Sequence, residues 1–371
     1  MAWIASRALA GVIVATALLA QPAAAQRGDD RVTCEKASGD IAIGACSRAL
    51  TSGKYKGRDL AELYNHRGFE HGSKKEHDRA IADYSEAIKL DPAYATAYNN
   101  RGFVYVGKKD YERAIADFSE AIKIDPKYAA AFYNRGAAYS VKNEYDLAIA
   151  DLNEAIGLSP NFAAAFYNRG TAHAGKNEYD LAISDFSDAI RLNPKFAAAY
   201  NNRGFAHVGK QEYDSAIADY SEAIKLDPKY ATAFFSRGLA HYYKGNFSAA
   251  VADLLQTNND AYAMLWRFLA RGRLGQDGSA ALTGNAARLK TKDWPSPIVD
   301  LYLGRRKPEE IAAAASGSDQ KCQAAFYVGA WQLLRGKKAD AKVSLQNAAD
   351  TCPKDLVEYA GAVAELKRLD R

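Results

Sequence analysis

Any chemistry in this chain of 371 residues would have to come from side chains that recur at a fixed interval. Four of its six histidines, His71, His173, His207 and His241, are separated by multiples of 34 residues. Such a row suggests a metal ladder, but the ligand nitrogens of one zinc site lie within ~4 Å of each other. Equivalent positions on successive packed helices are about 10 Å apart, so the row is expected to fill structure. Tyr105 and Tyr139 take the same place in the other two repeats. The acidic residues recur in the same way and read as scaffold charges; Glu86 with Lys89, and Glu120 with Lys123, have the i,i+3 spacing of ordinary helix-surface pairs. There is no nucleophile elbow, zinc-protease motif or phosphate-cradling glycine loop. The expectation is a protein that is not an enzyme, with no catalytic residues, no metal and no cofactor.

The elements that hold these residues follow from the interval itself. Asp91-Pro92, Asp125-Pro126, Ser159-Pro160, Asn193-Pro194 and Asp227-Pro228 each stand 34 residues after the last, and a fixed period of that length means a solenoid of stacked repeats. With positions numbered 1 to 34 from Ala61, position 4 is aromatic (Tyr64, Tyr98, Phe132, Phe166, Tyr200, Phe234) and position 8 is Gly (Gly68, Gly102, Gly136, Gly170, Gly204, Gly238). Position 20 is Ala in every unit, from Ala80 to Ala250. Positions 4, 7, 8 and 11 form one helical stripe, and positions 17, 20, 21, 24, 27 and 28 form another. Each unit therefore predicts a helical hairpin. Gly at position 8 sacrifices about 1 kcal/mol of helix propensity, which points to close helix approach. Pro at position 32 ends the second helix, and the aromatic at position 34 covers the seam to the next unit.

Position 7 is Arg in all six units (Arg67, Arg101, Arg135, Arg169, Arg203, Arg237) and position 23 is Asp in all six (Asp83, Asp117, Asp151, Asp185, Asp219, Asp253). In an antiparallel hairpin turning near positions 14 and 15 the two stand at nearly the same height. The spacing predicts a ladder of structural ion pairs rather than an Arg row reading an acidic ligand, because a partly buried Arg normally has a carboxylate partner.

The aromatic, Gly, Ala and Pro spacings over residues 61–256 resemble the tetratricopeptide repeat (TPR) family. The resemblance implies an all-α fold, a TPR helical-hairpin solenoid wound as a right-handed superhelix, with a truncated N-terminal cap and an irregular helical C-terminal cap. The expected boundaries are 1–25 for a signal peptide and 26–60 for the N-terminal cap with a truncated repeat. Six units follow at 61–94, 95–128, 129–162, 163–196, 197–230 and 231–256. The helical C-terminal region is 257–371, with a degenerate repeat at 322–355. In TPR proteins the face of the first helix opposite the buried stripe lines a concave groove. Here that face carries Asn65, Asn99, Tyr133, Tyr167, Asn201 and Phe235 at position 5, Phe69, Phe103, Phe205 and Leu239 at position 9, and Val106, Val208 and Tyr242 at position 12. Rings beside amides suit an extended peptide; the same rings could instead only pack against the next unit. The clamp that some TPR domains use for a C-terminal carboxylate needs Lys and Arg on this face, and these positions lack them.

Both ends of a solenoid need closing. Ala42, Ile43, Cys46, Ala49 and Leu50 fit a truncated leading unit, and Gly329, Gly336, Ala341, Leu345, Ala348 and Pro353 restore the pattern near the end. Between them, helices are expected over Ala261–Leu274, Ser279–Leu289 and Pro297–Leu303 and again after Pro308, with a last helix over Leu356–Leu369. The four cysteines fall in two clusters, and pairing within each, Cys34–Cys46 and Cys322–Cys352, is expected. In a regular hairpin Cys34 would be too far along to reach Cys46, so that bridge requires an irregular stub. The segments Asp300–Gly304, Phe326–Gly336 and Glu358–Leu369 resemble the C-terminal part of NlpI-type TPR lipoproteins of bacterial envelopes, which implies an adaptor bringing cell-wall hydrolases and a protease together.

Composition bounds the partners. With 48% hydrophobic residues the chain is not disordered, and 49 basic against 44 acidic side chains give net +5, too diffuse for a nucleic-acid-binding stripe. Arg7, the apolar run Ala8–Ala20 and Ala23, Ala24 and Ala25 before Gln26 have the order of a signal peptide cleaved after Ala25. The apolar run is shorter than the ~20 residues that span a bilayer. Cys34 follows Arg31, Val32 and Thr33, which is no lipobox. The reading is an exported scaffold in the bacterial periplasm, with secretion as the other destination. Its expected partners are proteins or peptides, among them envelope hydrolases or proteases, with no nucleic acid and no membrane span. A cell-wall glycan bound on the aromatic and Asn face is the alternative.

Overall fold

The 34-residue period folds as antiparallel helix pairs in a computed structural model that describes residues 29–257, 261–287 and 293–370. The expected signal peptide, residues 1–25, lies outside the described residues. A short stub, α1 (Asp30–Lys36) and α2 (Gly39–Thr51), precedes the array. First and second helices then alternate: α3 (Gly57–Ser73), α4 (His77–Leu90), α5 (Ala95–Gly107), α6 (Tyr111–Ile124), α7 (Ala129–Val141) and α8 (Tyr145–Leu158). They continue as α9 (Ala163–Gly175), α10 (Tyr179–Leu192), α11 (Ala197–Gly209), α12 (Tyr213–Leu226), α13 (Ala231–Lys244) and α14 (Phe247–Leu254). The cap follows: α15 (Ala261–Arg273), α16 (Ser279–Ala286), α17 (Ser296–Tyr302), α18 (Pro308–Ala314), α19 (Ser318–Leu334), α20 (Lys338–Thr351) and α21 (Val357–Leu369). The fold is an all-α tetratricopeptide-type stack of hairpins. Two compact units, Met1–Ala172 and His173–Arg371, divide inside α9.

Local chemistry sets each boundary. The second helix stops before position 31 because the following Pro disfavours a helical residue ahead of it; Asp91 sits at φ −139°, ψ 91°. Its carboxylate then accepts the Ala93 N–H at 3.0 Å, as Asp227 accepts that of Lys229 at 3.0 Å, which shapes the turn into the next helix. Between the two helices of a hairpin, position 15 takes the left-handed conformation. It is Lys75, Lys109, Asn143, Asn177 or Gln211 at φ 60–62°, and Gly245 in the last unit. That residue lets the Glu76 N–H reach back to the His71 carbonyl at 2.9 Å and close the first helix.

Close approach accounts for the position-8 glycines. A Cβ on Gly102 would lie 2.8 Å from the Phe118 ring, one on Gly204 2.8 Å from Tyr220, and one on Gly329 in the closing hairpin 2.8 Å from Leu345. Hairpin interiors are filled by alanines at positions 20 and 27, with Thr257 at position 27 of the last, around a bulky residue at position 24: Tyr84, Phe118 and Leu152 in the first unit, Phe186, Tyr220 and Leu254 in the second.

Disulfides staple both ends. Cys34 and Cys46 are bonded with Cα atoms 4.7 Å apart, made possible by the half-length α1. Cys322 and Cys352 join the two ends of the α19–α20 hairpin with Cα atoms 5.0 Å apart. The second unit has the larger core, centred on Trp266, whose ring lies 5.0 Å from Tyr242, 5.8 Å from Tyr243 and 4.9 Å from Phe326. The expected helix Ser279–Leu289 stops at Ala286, and residues 288–292 lie outside the description. No helix among the described residues is long and apolar enough to cross a membrane.

Candidate functional site

The arginines at position 7 are fully engaged inside the scaffold. Nε and Nη2 of Arg67, Arg101, Arg135, Arg203 and Arg237 donate to the two oxygens of Asp83, Asp117, Asp151, Asp219 and Asp253 at 2.7–2.8 Å. Nη1 of each reaches the hydroxyl of the preceding repeat, Ser47, Ser85, Ser119, Ser187 or Ser221, at 2.9–3.0 Å. Arg169 Nη1 meets Asn153 at 2.6 Å instead. All six guanidinium carbons lie 5.4–5.8 Å from the ring at position 4 of their own helix. The bidentate carboxylate raises the pKa of Arg67, Arg101, Arg135 and Arg203 above the ordinary value. The members of the sixth expected pair, Arg169 and Asp185, belong to different compact units. Sequence reasoning missed the serine partner, although its signal was present: position 25 is Ser in four units and Asn in one.

The histidine row is bound to the same ladder. His71, His173 and His207 pair Nδ1 with Glu76, Glu178 and Glu212 at 2.7 Å, and their Nε2 atoms lie 3.8–3.9 Å from Asp83, Asp185 and Asp219. His241 has Asn246 where the others have Glu, its Nδ1 is buried without a partner, and burial pushes its pKa down. No group of three or more His, Cys, Asp or Glu side chains suited to a metal ion occurs among the described residues.

The face of the first helices is more closed than its sequence implied. Asn65, Asn99 and Asn201 are buried. Asn65 accepts a hydrogen bond from Asn100 at 3.1 Å and Asn99 one from Asn134 at 2.9 Å, so these amides cross-brace neighbouring repeats instead of waiting for a peptide backbone. Asn201 donates to Asn202 at 3.1 Å, while its own carbonyl oxygen is left unpaired where the next unit has Ser236 at position 6. Tyr133 is half-buried, its hydroxyl bonded to Asn168 and its ring 4.7 Å from Phe162. Tyr167 is buried as well. Tyr242 is the clearest correction: it is fully buried, and its hydroxyl donates to Glu365 of α21 at 2.6 Å. Arg273 and Arg368 hold that carboxylate at 3.1 and 2.9 Å, and Arg368 also donates to the Tyr243 carbonyl at 3.0 Å. The last helix thus docks on α13 where the sequence placed a free surface.

What stays open is aromatic. Phe69 on α3 and Phe103 on α5 are 55% and 51% exposed, on equivalent positions of successive first helices of the first unit. Phe205 and Phe235 of the second unit are half-buried. The arrangement offers apolar rings on a rigid backing and, among the described residues of this face, no converging acid, base or nucleophile.

Comparison with known proteins finds the same repeat. A TPR-repeat family model matches residues 70–109, 104–140 and 208–245, and a tetratricopeptide-repeat model matches 129–162 and 163–196. Among solved structures, PilW, a widely conserved type IV pilus biogenesis factor, is 19% identical with TM-score 0.50, covering 53% of this chain and 91% of that one. The APC/C hetero-tetramer Cut9–Hcn1 is 18% identical with TM-score 0.50, covering 62% and 48%. YrrB, described as a TPR protein with an unusual peptide-binding site, is 28% identical with TM-score 0.44, covering 52% and 96%. At such identities the likenesses to PilW and Cut9–Hcn1 show the fold alone. No curated protein matches the chain.

Proposed function

The chain is a tetratricopeptide-repeat protein, and we propose that it is a non-catalytic scaffold holding a protein or peptide partner against the open rings of its first helices. The observation that carries this reading is the pair Phe69 and Phe103, large apolar side chains left more than half exposed at the same repeat position. Rings of this kind, fixed on a rigid element, are the usual anchors of protein interfaces. Behind them the arginines are already bonded to aspartates and the amides to neighbouring amides, so the backing is preorganised and binding orders little of it.

The two disulfides suit an oxidising compartment, and the leader read from the sequence supports export to the bacterial periplasm. With the resemblance of the C-terminal segments to NlpI-type adaptors, envelope hydrolases or proteases become the partner class to test. Chemical crosslinking of the purified chain in envelope extract, followed by pulldown, should enrich such enzymes. Phe69→Ala with Phe103→Ala should lower the yield at least tenfold while stability stays within about 0.5 kcal/mol, as for exposed side chains generally. Capture that ignores the double variant, or binding to purified peptidoglycan alone, would contradict the proposal.

A further inference from the structure

The second unit contains a cavity of about 380 Å³ that none of the repeat positions announces. It lies where the N-terminal turns of α21 rest beside α11 and α13. Its volume is in the lower part of the ~300–1,000 Å³ range of small-ligand sites, room for one large side chain and not for a folded element. Phe205, Val208 and Leu239 give it an apolar floor, and they occupy the same repeat positions, 9 and 12, that form the candidate binding face. The walls are phenolic: Tyr179, Tyr213 and Tyr359 are half-buried, while Tyr220 and Tyr243 lie deeper.

These walls are fixed before any ligand arrives. Tyr243 donates its hydroxyl to the Val357 carbonyl at 2.8 Å, tying α13 to the first turn of α21. The Tyr213 ring lies 5.7 Å from that of Tyr243. Tyr179 donates to Asn177 at 2.6 Å and lies so close over Gly209 that a Cβ there would be 2.5 Å from the ring. Tyr213 and Tyr359 line the cavity, and their hydroxyls have no hydrogen-bond partner among the described residues, so two of the lining phenols keep unused capacity. At its mouth the exposed Lys354 and Asp355 oppose each other in charge, and the lining attracts neither an anion nor a cation.

We propose that this cavity is an anchor pocket for one uncharged aromatic side chain of a peptide partner. The proposal rests on the peptide-binding reading and deepens it, because a peptide laid along α11 meets the pocket where α21 closes the face. Aromatic rings enclosed by tyrosine faces gain edge-to-face and offset-stacked contacts beyond burial alone, and a free phenol can accept an indole N–H or a phenolic O–H. A flexible aliphatic chain gains neither.

Saturation-transfer NMR on the purified chain, with N-acetyltryptophanamide as the probe and N-acetyllysinamide and chitobiose for comparison, tests the pocket. Saturable binding of the tryptophan probe is expected, weakened at least tenfold by Ala360→Trp, which fills the cavity from α21. Val363→Phe fills it from the next turn and serves as the second variant should the first unfold. Leu147→Ala, at an exposed site on α8 outside the proposed binding face, should leave the tryptophan probe unaffected. Absence of saturable binding, binding indifferent to both filling variants, or equal binding of the lysine or sugar probe would overturn the proposal. The capture experiment on Phe69 and Phe103 reads the broader function separately, so either can fail alone.

Discussion

Glu358 is a residue whose chemistry its neighbours leave incomplete. It is buried in the first turn of α21, with one carboxylate oxygen accepting the Tyr327 hydroxyl at 3.0 Å and the other without a partner. Gln323 and Tyr243 are the other polar groups felt there, and no cation among the described residues compensates it, in contrast to Glu365 with its two arginines. Burial therefore pushes its pKa up to about 7. The unfolded chain titrates this group near ~4.3, so between those values the folded state holds the extra proton. Its contribution to stability is fully present below that unfolded value and is lost as pH rises towards and through 7, a change of about 3 kcal/mol. Glu358→Gln removes the dependence. In denaturant unfolding of both proteins, the variant should match the parent near pH 4.5 and exceed it by about 3 kcal/mol near pH 8. A constant difference across that range would show that the carboxyl does not titrate in the core.

At the scale of the element, the hairpin was legible because its partners lie within one period. Arg135 and Asp151 are 16 residues apart, at matched heights across one turn, and helix geometry alone brings such positions together. The cross-bracing between repeats was less legible, since the position-25 serines and paired asparagines look like ordinary polar helix residues until a neighbouring unit is stacked on them. A double-mutant cycle can apportion the ladder. Asp151→Ala leaves Arg135 partly buried without its carboxylate and should destabilise the chain by about 2–4 kcal/mol. Replacing both, as Arg135→Met with Asp151→Leu, should cost less than Asp151→Ala alone, because no charge is then left unpaired. Urea unfolding of the single and double variants measures this, and strict additivity would deny the rung its coupling.

For the molecule as a whole, the repeat period carried the architecture and the terminal disulfides, while the docking of α21 had no counterpart in the sequence. Tyr242 and Glu365 are separated by 123 residues, and the pattern between them is interrupted by the irregular cap. Tyr242 at position 12 consequently looked like groove surface although it is core, and the phenolic cavity beside α21 had no sequence signal at all. What remains accessible is narrower than the whole face, with Phe69 and Phe103 as its most exposed rings. The most direct test of a binding role is site-specific photo-crosslinking with benzoylphenylalanine placed at position 103, and separately at Leu147, which is 50% exposed on the second helix α8. In envelope extract the probe at 103 should form discrete protein or peptide adducts that the probe at 147 does not. Equal labelling from both positions, or no adduct at 103, would contradict the account.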